Sequence, residues 1–159
     1  MSSSRVWDAA AGLAAGYVGS RAMDRATAWY WSRMSQQART RESEANPDGT
    51  LHTVGRAVAV RLGRGDDAAA ATAAQLHRGL GLTYGVVAAQ LVRSGIPPLA
   101  AGVVTGAAAF ALVDEAVMST VLPPPWAYPV ESHVRGAVGH LTLGAVVGIL
   151  LTAWRRVGG

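Results

Sequence analysis

The sequence predicts an all-α protein, a four-helix transmembrane bundle, and three observations carry that expectation. Only 15% of the 159 residues are charged, where a soluble domain carries about 25%. Ala and Gly make up almost a third of the chain while Phe occurs once, so the bulky side chains of an ordinary soluble core are scarce. Four stretches, 5–31, 67–93, 97–122 and 132–154, are long and largely apolar around a polar insertion at 32–66; a membrane span needs about 20 such residues. The mean hydropathy of +0.23 is modest for four spans. An Ala-rich soluble bundle is the alternative, but the third and fourth stretches are apolar on all faces rather than along one stripe.

The first stretch is small and apolar up to Gly19. It then carries Arg21, Asp24 and Arg25 before Trp29, Tyr30 and Trp31, an aromatic cluster of the kind that favours the membrane–water interface. It lacks the strongly basic start and compact Leu-rich centre of a cleaved signal peptide. In the insertion, Gln36 to Glu44 is hydrophilic and Asn46-Pro47-Asp48-Gly49 is a turn signal. Thr50 to Leu62 places Leu51, Val54, Val58 and Leu62 at helical spacing among Arg56, Arg61 and Arg64. That pattern suits a short amphipathic interfacial helix, apolar face down with Arg in the headgroups; a helix packed on the end of the bundle is the other reading.

The second long stretch opens on Asp67 and closes at Arg93. The third opens on Pro97 and Pro98, which suit a first helical turn, and stops at Pro123-Pro124-Pro125. The fourth runs from Ser132 to Trp154 and ends at Arg155 and Arg156.

The stretches repeat. Gly12, Gly16 and Asp24 match Gly102, Gly106 and Asp114 at an offset of 90. His77, Gly81 and Gly85 match His140, Gly144 and Gly148 at an offset of 63. The unit is a two-helix hairpin present twice, with the insertion in the first copy only. Gly12, Gly16, Gly81, Gly85, Gly102, Gly106, Gly144 and Gly148 fall at four-residue spacing, which lets helices approach closely. At about 1.5 Å per residue, Asp24, His77, Asp114 and His140 lie at a similar depth from one face. Antiparallel hairpins then bring an Asp near the end of one helix to a His near the start of the next.

Ionisable groups inside a span are functional-site hypotheses by default. Asp24 has Arg21 three residues earlier on its own face as a structural partner. Asp114 and Glu115 have no basic neighbour in their own helix, so either Arg135, Arg78 or His140 is their partner or they stay protonated. The expected intramembrane cluster is therefore Asp24, His77, Arg78, Tyr84, Asp114, Glu115, Arg135 and His140. Histidine at this depth suits proton relay, its charge changing near neutrality. His77 and His140 on different helices also permit a bis-His haem b, although neither carries a further haem signature.

Cys is absent, which excludes disulfide scaffolds and thiolate metal sites. The pI near 10.3 does not point to nucleic acid, because the Arg residues are spread out rather than gathered in a stripe. No P-loop, nucleophile motif, Rossmann fingerprint or metalloprotease motif occurs, so no enzyme activity, catalytic residue or metal site is expected.

The insertion with its Asn-Pro pair, the second stretch with His77 and Tyr84-Gly85, and the Pro-rich turn leading into Gly139-His140-Leu141 together resemble the YagU-like group of small bacterial inner-membrane proteins. The chain is shorter than that group and lacks its longer insertion. The resemblance implies a multi-pass inner-membrane protein without an established activity.

Three functions remain open at this level. The first is a transport or proton-linked membrane component using Asp114, Glu115, His77 and His140. The second is a structural or accessory subunit that associates with itself or a membrane partner through Gly faces. The third is a haem- or metal-binding membrane protein. Arg33, Arg39, Arg41, Arg56, Arg61 and Arg64 at the insertion end outnumber Arg5, Arg93, Arg155 and Arg156 at the other, which favours a cytoplasmic insertion and both termini outside.

Overall fold

The Ala/Gly-rich stretches form long helices because little else in their sequences competes with helix and no Pro interrupts them. The computed structural model describes residues 3–117 and 120–158. Among these residues there is no strand, and the α-helices are α1 (Ser3–Trp31), α2 (Gln36–Ala45), α3 (Thr50–Arg61), α4 (Ala69–Arg93), α5 (Pro98–Ala108) and α6 (Val130–Gly158). A single 3₁₀ turn, Asp66–Ala68, leads into α4, and another, Pro125–Ala127, precedes α6.

Two helices are long and apolar enough to cross a membrane, over Pro98–Ala116 and Val130–Val157. The four spans of the sequence reading therefore reduce to two on this criterion. α1 and α4 have 29 and 25 residues, but Asp8, Arg21, Asp24 and Arg25 in α1, and Gln75, Arg78 and Gln90 in α4, lower their hydropathy.

The third long helix is not uniform. α5 gives way at Ala109 to a π-helical stretch, Ala109–Val117. Residues 118 and 119 of the expected span to Leu122 lie outside the described residues. The last helix begins two residues before Ser132 and continues past Trp154.

α1 packs against α4 and α6, and α5 against α6 and α4, which closes a four-helix ring. The ring is held at close range by glycine. A Cβ on Gly85 would lie 2.7 Å from both N and Cα of Gly16, and one on Gly12 would lie 2.8 Å from the Gly85 carbonyl oxygen. In α5 and α6, a Cβ on Gly102 would sit 2.7 Å from the Gly148 nitrogen. The two seams use the same glycine pattern, Gly12, Gly16, Gly81 and Gly85 in one, Gly102, Gly106, Gly144 and Gly148 in the other. Between the seams, α1 meets α6 where Gly19 lies against Val147 and Leu143. The core is accordingly thin in large side chains: Leu143 and Val147 are its largest fully buried residues, set among Ala15, Ala88, Ala89 and Ala101.

The insertion is more ordered than its sequence suggests. Gln36 to Glu44 is helical, capped by Ser35, whose side chain accepts a hydrogen bond from the Ala38 N–H. The Asn46–Gly49 turn places Gly49 at φ +76°, where a side chain would be strained. α3 packs along the start of α4, with Gly55 against Ala73 and Ala59 fully buried. It therefore belongs to the bundle's end, while Leu51, Val60 and Leu62 remain more than half exposed.

Candidate functional site

At the insertion end the ring opens into a cavity of about 520 Å³. Leu76, Phe110 and Leu143 supply apolar wall, and Leu51 and Val54 of α3 close one side. Into it, elements from both helix pairs project carboxylates and imidazoles.

The two pairs contribute equivalent contacts. Asp24 of α1 and His77 of α4 meet with Oδ1 and Nε2 2.9 Å apart. Asp114, in the π-helical stretch, meets His140 of α6 with Oδ2 and Nε2 3.0 Å apart. Arg21 also reaches Asp24, at 3.3 Å, so this carboxylate is shared between an exposed guanidinium and a half-buried imidazole.

Beside them, Glu115 Oε1 lies 2.7 Å from His133 Nδ1. His133 Nε2 is 3.0 Å from the Pro125 carbonyl oxygen, which can only accept, so Nε2 carries a hydrogen and donates it. Nδ1 then faces Glu115 either as the acceptor of a carboxylic O–H or as the donor of an imidazolium. In both cases one proton resides between Glu115 and His133.

His140 is the most enclosed of the three histidines, at 4% exposure. Its ring lies edge-on to Tyr84, with centroids 6.2 Å apart, and 6.3 Å from Phe110. In the neutral ring, with Nε2 donating to Asp114, Nδ1 is a lone pair, and this atom is buried without a partner. The Tyr84 hydroxyl is likewise buried and unpartnered.

The cavity mouth is tied by one residue of α2. Glu42 accepts from Arg135 Nη2 at 2.6 Å and from the Ser132 hydroxyl. The Arg135 guanidinium also sits 4.9 Å from the Trp31 ring centre, a cation–π distance. Nearby, burial pushes the Tyr128 phenol above its ordinary 10.0; the Asn46 amide works against this and the Glu42 charge adds to it.

Of the residues singled out from sequence, Asp24, His77, Tyr84, Asp114, Glu115, Arg135 and His140 line this cavity. Arg135 does so paired with Glu42, not with Asp114 or Glu115. Arg78 is exposed and in no ion pair among the described residues. Sequence reasoning did not place Glu42 here, because the contact spans 93 residues and no local pattern announces it. His133 was legible only as a residue two turns before His140.

Haem ligation through Nε2 of His77 and His140 would require both carboxylate contacts to be given up. No group of three or more His, Asp or Glu among the described residues is arranged to hold a metal ion. The eight glycines of the two seams face each other within the chain. Comparison with protein-family models, curated proteins and solved structures gives no match.

Proposed function

We propose that this chain is a small inner-membrane protein of the YagU-like kind, with four spans, a proton-linked membrane component that passes protons through the cavity. One observation carries the reading: three carboxylate–imidazole pairs, drawn from both halves of the chain, line one cavity between largely apolar helices. Imidazole changes charge near neutral pH, and a carboxylate at hydrogen-bond distance gives the proton a second site. Ionisable groups at this depth would be an expensive way to fill space.

In this reading α1–α4 and α5–α6 are duplicated hairpins that place their Asp–His pairs at matching depth. The insertion end, where the cavity opens, faces the cytoplasm. An accessory role is less well supported, because the glycine seams are occupied within the chain. The test is proton flux in liposomes under an imposed membrane potential. Wild-type protein should conduct above protein-free liposomes, while His140→Ala and Asp114→Asn fall to background. Wild-type flux no greater than that of empty liposomes refutes the reading.

A further inference from the structure

We propose that the solute taken by this cavity is a small organic monocation, an ammonium bearing N–H groups on an apolar tail of about one aromatic ring, which competes with protons for the same carboxylates. The inference rests on the proton-linked reading above and adds the substrate class.

Charge gives the sign. Asp24, Glu42, Asp114 and Glu115 line the cavity against one lining guanidinium, Arg135. Arg21 reaches Asp24 from the exposed rim. The Glu115–His133 pair holds one proton and is neutral as a unit; with the imidazoles of His77 and His140 neutral, Asp24, Glu42 and Asp114 still outnumber Arg135, so the cavity attracts a cation and repels an anion. Protonating those imidazoles removes the excess. The phenols of Tyr84 on α4 and Tyr128 in the Pro-rich loop add no charge near neutral pH. Cation and proton therefore oppose each other, which is the requirement for exchange.

Hydrogen bonding gives the head group. The His140 side chain is more than nine-tenths buried in the cavity wall and keeps an unpartnered lone pair at Nδ1, near the unpartnered Tyr84 hydroxyl. A buried acceptor left unmade is costly. The atom is covered by its neighbours, with the Tyr84 and Phe110 rings packed on His140; a ligand N–H satisfies it once a covering ring turns aside, whereas a carboxylate or a trimethylammonium cannot.

The walls give the tail. Phe110, Leu76, Met23 and Leu143 are apolar, and Trp31 and Tyr84 add aromatic faces that attract ammonium groups. The volume, about 520 Å³, falls in the range of about 300–1,000 Å³ that encloses small organic ligands.

The experiment is calorimetric titration of the full chain in phosphatidylglycerol nanodiscs, with empty discs subtracted, using phenethylammonium, its N-trimethyl derivative and phenylacetate. At pH 8 phenethylammonium should bind at least tenfold more tightly than either analogue, and about tenfold more weakly at pH 6. Asp114→Asn should weaken it at least tenfold. Tyr84→Phe, which removes one hydroxyl and leaves the fold's ion pairs in place, should narrow the preference over the trimethyl derivative. Phenylacetate binding as tightly, affinity unchanged with pH, or no binding at millimolar concentration overturns the proposal. Loss of phenethylammonium binding in discs that contain phosphatidylethanolamine assigns the site to a lipid headgroup and overturns the free-amine assignment. Proton flux without amine binding would sink this inference alone; amine binding without flux would sink the proton-linked function alone.

Discussion

Replacing Gly85 by Ala tests whether the helices are set by backbone contact or by side-chain burial. An added Cβ would lie 2.7 Å from N and Cα of Gly16 and closer still to the Gly12 carbonyl oxygen, where ordinary contact begins at 3.4 Å. The opposing atoms are backbone and the Gly12 carbonyl oxygen is closer still, so α1 and α4 must part by more than 0.7 Å, the difference of those two distances. Overpacking of this kind costs about 1–3 kcal/mol, offset by up to ~1 kcal/mol from the better helix propensity of Ala. The net expectation is a loss of about 1–2 kcal/mol. Gly79, in the same helix, has nothing within 4 Å of its added Cβ, and Gly79→Ala should be neutral or stabilising by up to about 1 kcal/mol. Even parting of the helices would also stretch the 2.9 Å Asp24–His77 contact beyond about 3.6 Å, outside hydrogen-bond range. Reversible unfolding in mixed detergent micelles, followed by helical circular dichroism, measures both variants. Equal stability of Gly85→Ala and Gly79→Ala would refute the reasoning.

Glu42→Gln removes the charge that holds α2 to Arg135 and Ser132, leaving a part-buried guanidinium unpaired. A loss of about 2 kcal/mol is expected, with trypsin cleavage at Arg39 and Arg41 accelerated; unchanged cleavage would show that α2 is held by other contacts. Tyr128 has a phenol raised above 10.0 mainly by burial, so its folded state keeps the proton longer than the unfolded state. Its contribution to stability is full below pH 10 and fades as pH climbs through the raised value. Tyr128→Phe should therefore lose less stability than wild type on going from pH 9 to pH 11, and parallel losses would exclude Tyr128 as a source. Four spans require reporters in the Asn46–Gly49 turn and after Gly159 to report opposite sides of the membrane. Reporters on the same side would leave two crossings or none.

The long helices were legible because hydropathy and Pro/Gly punctuation coincide at Pro97-Pro98, Pro123–Pro125 and Ser94-Gly95. The glycine spacing was also legible, since close approach demands it at i and i+4, and so was the similar depth of Asp24, His77, Asp114 and His140. α2 was missed because Gln36–Ala45 has no apolar face to give it a period; its visible signal is the Ser35 cap alone. The π-helical stretch left no trace in the pattern, and it matters because it brings neighbours Asp114 and Glu115 into one cavity. Glu42 could not be assigned, because its partners Ser132 and Arg135 are distant in sequence and complementarity of charge alone does not choose among fourteen Arg residues.

Backbone seams at one end and a cavity at the other make each helix pair a lever. Asp24 lies twelve residues beyond Gly12 in α1, about 18 Å along the axis. Rocking the helix by about 5° about the Gly12 contact moves the carboxylate by roughly 1.6 Å, while Gly16, about 6 Å from the pivot, moves by about 0.5 Å. That is enough to break the Asp24–His77 contact, which is 2.9 Å long. A molecule whose core has few large side chains to rearrange can thus release a partner at its polar end by tilting stiff rods.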